Sequence, residues 1–72
     1  MKTKGEIGSL IRVVDVQFGS YKVGDLGLIT EFATGGGYNS CWVLFFNPIT
    51  PEGDRMAYLF AREYEVVNVE DV

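Results

Sequence analysis

Apolar and polar residues alternate along this chain in short runs, and nowhere do they recur at the three- and four-residue spacing that marks an amphipathic helix. Residues 10–16 are β-branched and apolar with Arg12 and Asp15 interspersed, which predicts a first strand. A loop over 20–25 follows, where Gly24 can take a positive φ cheaply and Asp25 can bond back to the backbone. The second strand is predicted over 26–32. Gly35, Gly36 and Gly37 then interrupt the pattern, because three adjacent glycines cost too much backbone entropy to sit inside a regular element. A third strand is predicted over 40–47. The segment 47–54 carries both prolines of the chain, and Pro51-Glu52-Gly53 fits a type I turn. A fourth strand over 55–60, a short helical turn over 61–64 and a half-buried strand over 65–69 complete an all-β reading with no long helix.

The third strand is unusual in being apolar on both sides. Successive side chains of a strand point to opposite faces, so Cys41, Val43 and Phe45 point one way and Trp42, Leu44 and Phe46 the other. One buried face would need only the first or the second set.

The order of these signals resembles the SH3-like small barrels, a grouping that includes KOW-type domains and the photosystem I subunit IV and ferredoxin-thioredoxin reductase variable chain families. The residues that carry the likeness are Gly8-Ser9-Leu10-Ile11-Arg12-Val13, Gly24-Asp25-Leu26-Gly27-Leu28-Ile29, Val43-Leu44-Phe45 and Tyr64-Glu65-Val66-Val67. The likeness spans about residues 7–69 of a single domain and consists of folding signals, so it implies a five-stranded SH3-like barrel and no particular activity. It places Val43 and Phe45 inside, with Ile11, Val13, Ile29 and Val66 as further core positions. Trp42, Leu44 and Phe46 are left on the outer surface, a larger apolar row than soluble monomers usually expose. Either segment 47–56, with Pro48, Ile49 and Pro51, or the N-terminal arm folds over that row, or the row is a protein interface. Tyr58, Tyr21 and Tyr38 would extend such an interface, because tyrosine combines large rigid area with a polar tip.

Charge narrows the partner. Ten acids against six bases give a net charge of −4, which repels phosphate backbones. The nucleic-acid-binding members of the resembled group carry basic loops, whereas here Lys22 is the only base between Arg12 and Arg55. A KOW-type contact would have to use Lys2, Lys4, Arg12 and Lys22. With 72 residues the chain has little core to spare and needs support from a disulfide, a metal or association. One cysteine excludes an internal disulfide, and the absence of histidine argues against zinc. Association remains.

Candidate chemistry is sparse. The glycine triplet with Tyr38, Asn39 and Ser40 could form an anion nest, but no Lys-Ser/Thr and no helix follow it, so it reads as a hairpin loop. Cys41 has no histidine to activate it and reads as a buried strand residue. The pairs Glu63 with Glu65 and Glu52 with Asp54 read as solvated surface charge, since a barrel this small offers no sugar-sized cleft between carboxylates. No apolar stretch of signal-peptide or membrane-span length is present, which points to the cytosol. The expectation is therefore a non-enzymatic, cofactor-free protein-interaction or assembly module, homodimeric or docked into a larger complex. The alternatives are a KOW-type nucleic-acid-binding module, a small-molecule site at the barrel rim, or an accessory subunit of an enzyme or photosynthetic complex.

Overall fold

In a computed structural model of the chain, which describes residues 5–17, 19–33 and 40–67, the alternating segments become five strands. They are β1 (Leu10–Val13), β2 (Leu26–Phe32), β3 (Cys41–Phe45), β4 (Met56–Leu59) and β5 (Tyr64–Val66), with a 3-10 turn at Ala61–Glu63 just before β5. All pair antiparallel in one sheet of order β4-β3-β2-β1-β5. The domain is all-β, as the pattern predicts.

One side of the sheet holds the core. Ile11, Val13, Ile29, Cys41, Val43, Phe45, Leu59 and Tyr64 are each no more than 1% exposed, and Tyr21 joins their cluster from the loop between β1 and β2. Five of the six expected core positions are buried; Val66 is not. It lies opposite Ile11 in the ladder but near the end of β5, where it stays 38% exposed, and Tyr64 two residues earlier fills the interior. The first strand is also shorter than its composition suggests. After Val13 the chain leaves the ladder, and the N–H groups of Val14 and Asp15 both donate to the carbonyl of Glu63, at 2.8 and 3.2 Å.

Two local features set the packing. Gly27 of β2 lies so close to β3 that a Cβ there would stand 2.6 Å from Val43 Cγ1 and 2.8 Å from the Leu44 carbonyl oxygen. Between Ile29 and Glu31 the register shifts by one residue, and Thr30 is the extra one, its hydroxyl donating to the Trp42 carbonyl at 3.1 Å. This bulge reverses the alternation. Ile29 and Phe32 therefore both face the core although three positions separate them.

The sheet curls. A flat five-stranded sheet would hold its edge strands about 19 Å apart, yet only four residues, three of them in the 3-10 turn, separate Leu59 of β4 from Tyr64 of β5. Such a link spans at most about 17 Å even when extended. Curling lets a single sheet, without a covering helix among the described residues, bury its own inner face. β1 and β5 are neighbours, and Val67 N–H donates to the Leu10 carbonyl at 2.8 Å. Gly5 packs beside Val66 on the same margin, so the two ends of the described chain adjoin.

Candidate functional site

The outer side of the sheet is built from the residues that alternate with the core. Cross-strand register sets Leu28 of β2, Leu44 of β3 and Met56 of β4 in one rung, and Trp42 beside Tyr58 in the next. Phe46, just past β3, donates its N–H to the Leu26 carbonyl at 3.1 Å. Leu26, Trp42, Leu44, Phe46 and Met56 are between 41% and 47% exposed, so no described segment covers them. Tyr58 is half-buried between two edge-to-face partners, Trp42 at 5.4 Å and Phe60 at 5.5 Å between ring centroids. Its hydroxyl is buried without a hydrogen-bond partner among the described residues. The structure thus brings Trp42, Leu44, Phe46 and Tyr58 together on one apolar face. Its charged border includes exposed Glu31 of β2, directly opposite Trp42, and continues on β1 and β5, where Arg12 Nε donates to Glu65 Oε1 at 3.0 Å and Nη2 closes the ion pair.

Segment 47–56 does not lie over this face. A turn closed by Gly53 N–H to the Thr50 carbonyl at 3.1 Å, with Pro51 and Glu52 inside it, makes the segment self-contained. The Thr50 hydroxyl holds Asp54 Oδ2 at 3.0 Å, and Gly53 takes a φ of 97°, as the type I turn with glycine after it requires. Ile49 turns toward the core rather than the outer row. Pro48 and Pro51 stay exposed and border a cleft with Ser20, Lys22 and Asp25.

Two expectations need correction. Tyr21 is no part of an exposed interface: it is 4% exposed, stacks on Phe45 at 5.8 Å, and donates its hydroxyl to Glu63 Oε2 at 2.6 Å. Burial first, then the hydrogen bond and charge of Glu63, push the Tyr21 hydroxyl well above its ordinary pKa of 10.0. Nor is Glu63 a solvated surface charge. It is fully buried and also accepts from the backbone N–H groups of Gln17 and Phe60, both at 2.8 Å. The 3-10 turn aims it inward, and a glutamate three residues after the first half-in residue of a helical turn is the signal that could have revealed it. Glu65, one residue into β5, points outward to Arg12, so the two acids lie on opposite faces and form no catalytic dyad.

The remaining candidates separate in space. Cys41 is fully buried beside Tyr64, whose hydroxyl is pushed up by burial and then by its hydrogen bond to this thiol. Glu52 and Asp54 are exposed on the turn. Lys22 and Asp25 border an open cleft of about 490 Å³ with Ser20, Pro48, Ile49, Thr50 and Pro51, and Asp25 Oδ2 already accepts the Lys22 N–H at 2.8 Å. Lys2, Lys4, Tyr38, Asn39 and the glycine triplet lie outside the described residues. Among the described residues no group of three or more His, Cys, Asp or Glu could hold a metal ion, and no helix is long and apolar enough to cross a membrane.

Comparison with known proteins finds no matching family model, no matching curated protein and no matching solved structure.

Proposed function

We propose that this chain is a small SH3-like barrel acting as a non-enzymatic interaction or assembly module, and that it associates with a second copy of itself through the face formed by Trp42, Leu44, Phe46 and Tyr58. The barrel reading is supported by the curl of the sheet and by its order, with the last strand returning beside the first after a single 3-10 turn. One observation carries the interaction reading: Leu26, Trp42, Leu44 and Met56 on three adjacent strands, and Phe46 just past β3, stay exposed side by side. Together they present an apolar patch on the order of 400 Å², a size at which patches on monomers are commonly functional. Covering it contributes several kcal/mol at about 25 cal/mol per Å², offset in part by the entropy of association.

Nucleic acid is the weaker alternative. Of its four proposed contacts, Arg12 is held by Glu65, and the net charge of −4 opposes the approach of a phosphate backbone. A larger complex, enzymatic or photosynthetic, would use the same face on a different partner.

Light scattering in line with gel filtration tests the reading. Trp42→Lys or Phe46→Lys is expected to halve the mass of the wild-type particle while the circular dichroism spectrum stays that of a folded β protein. A wild-type mass of one chain at every concentration overturns self-association through this face.

A further inference from the structure

The apolar face supplies about half of the ~800 Å² per partner that a standard interface uses, and the adjoining edge of the sheet can supply more. The two edges differ. β5 is three residues long, with Glu65 at its centre tied to Arg12, and shortness and charge both discourage strand addition. β4 reads Met56-Ala57-Tyr58-Leu59, with no charge, proline or bulge.

The ladder shows which backbone groups β4 leaves over. Phe45 N–H donates to the Arg55 carbonyl at 2.7 Å, one step beyond the pair Leu44 and Met56. Since alternate residues of an antiparallel strand address the same neighbour, Arg55, Ala57 and Leu59 turn their N–H and C=O toward β3. Met56 and Tyr58 turn theirs away from it. Among the described residues, neither makes a backbone hydrogen bond on that open side.

We propose that β4 pairs antiparallel with β4 of a second copy about a two-fold axis through Ala57. In this register Met56 of each copy faces Tyr58 of the other, and all four outward N–H and all four outward C=O groups at the joint are used, giving four hydrogen bonds. The neighbouring registers do worse. Centring on Met56 would place Tyr58 against Asp54, whose N–H is bonded to Thr50 Oγ1 at 3.1 Å. Centring on Tyr58 would place Met56 against Phe60, whose N–H is bonded to Glu63. A shift by one residue would bring outer side chains against inner ones. The chosen register keeps Met56 and Tyr58 of both copies on the outer side, so the two apolar faces join into one surface of about twice the area, and only the small Ala57 meets itself on the axis.

This contact goes beyond the face contact and does not depend on it, so the two are separable. With both contacts the wild type reaches four chains at high concentration; Trp42→Lys, which removes the face contact, is expected to leave a particle of two chains there. Adding Met56→Pro, which deletes an outward N–H at a strand's first residue where proline is tolerated, is expected to halve that mass without loss of fold. A Trp42→Lys chain that is a monomer throughout overturns the edge contact and leaves the face reading intact if the wild type is larger. Cross-linking decides the matter even if Met56→Pro fails to fold. Ala57→Cys falls at a non-hydrogen-bonded pair with Cα atoms about 4.5 Å apart, within disulfide range, and is expected to give a covalent dimer on mild oxidation much faster than Met56→Cys. Equal or reversed rates overturn the register.

Discussion

Glu63 and Tyr21 show how a single contact can fix a loop. The Glu63 carboxylate gathers donors from Gln17, Tyr21 and Phe60, which ties the 3-10 turn to a loop more than forty residues away in sequence. Tyr21→Phe keeps the ring on Phe45 and removes only the hydroxyl, so a loss of about 1–2 kcal/mol is expected in urea unfolding. Glu63→Ala strands the Gln17 and Phe60 N–H groups as well and should cost more, on the order of 3–5 kcal/mol. Burial of Tyr21 and Tyr64, reinforced by Glu63 at the first and Cys41 at the second, gives a pH dependence whose sign is set by their raised pKa values. Above the ordinary pKa of 10.0 the unfolded chain releases these protons while the folded chain keeps them. Stability is therefore full below about pH 10 and falls as pH rises beyond it. Unfolding midpoints measured across that range should decline for the wild type, and less steeply for Tyr21→Phe.

At the scale of elements, the spacing of the strands is governed by close approach and by parity. Gly27 has no room for a methyl group against Val43 and the β3 backbone, and backbone cannot swing aside. Gly27→Ala is expected to lower stability by about 1–3 kcal/mol, read as a lower urea midpoint at unchanged slope. The faces of β3 and most core positions were legible in the sequence, because strand alternation is a local property. Phe32 was not, since the bulge at Thr30 that turns it inward comes from pairing with β3 and leaves no mark in the alternation of β2 itself. Val66 and Tyr64 illustrate a second limit. Both sit on the inner side of β5, and their difference in burial depends on how far the sheet extends past each. Of the candidate site, the β3 row and Tyr58 were legible. Leu26 and Met56 became members only when cross-strand register brought them alongside.

For the whole molecule, charge and shape act together. Binding to a short DNA duplex or single-stranded RNA, followed by fluorescence anisotropy at physiological salt, is expected to be weak, because an acidic chain whose Arg12 is already paired releases few counterions. Tight binding with a steep salt slope would instead promote the KOW-type alternative. The adjoining of Gly5 and Val66 at the β1–β5 margin has a consequence for how the domain can be joined to anything else. Because Gly5 and Val66 adjoin there, linkers fused at these two positions would meet the domain at a single point, like a bead on a stem. Spliced at those positions into a surface loop of a host protein, or cut elsewhere and rejoined between them, the domain would keep every strand in the sheet. The β4 edge, at the other end of the strand order from this stem, stays presented outward in either arrangement.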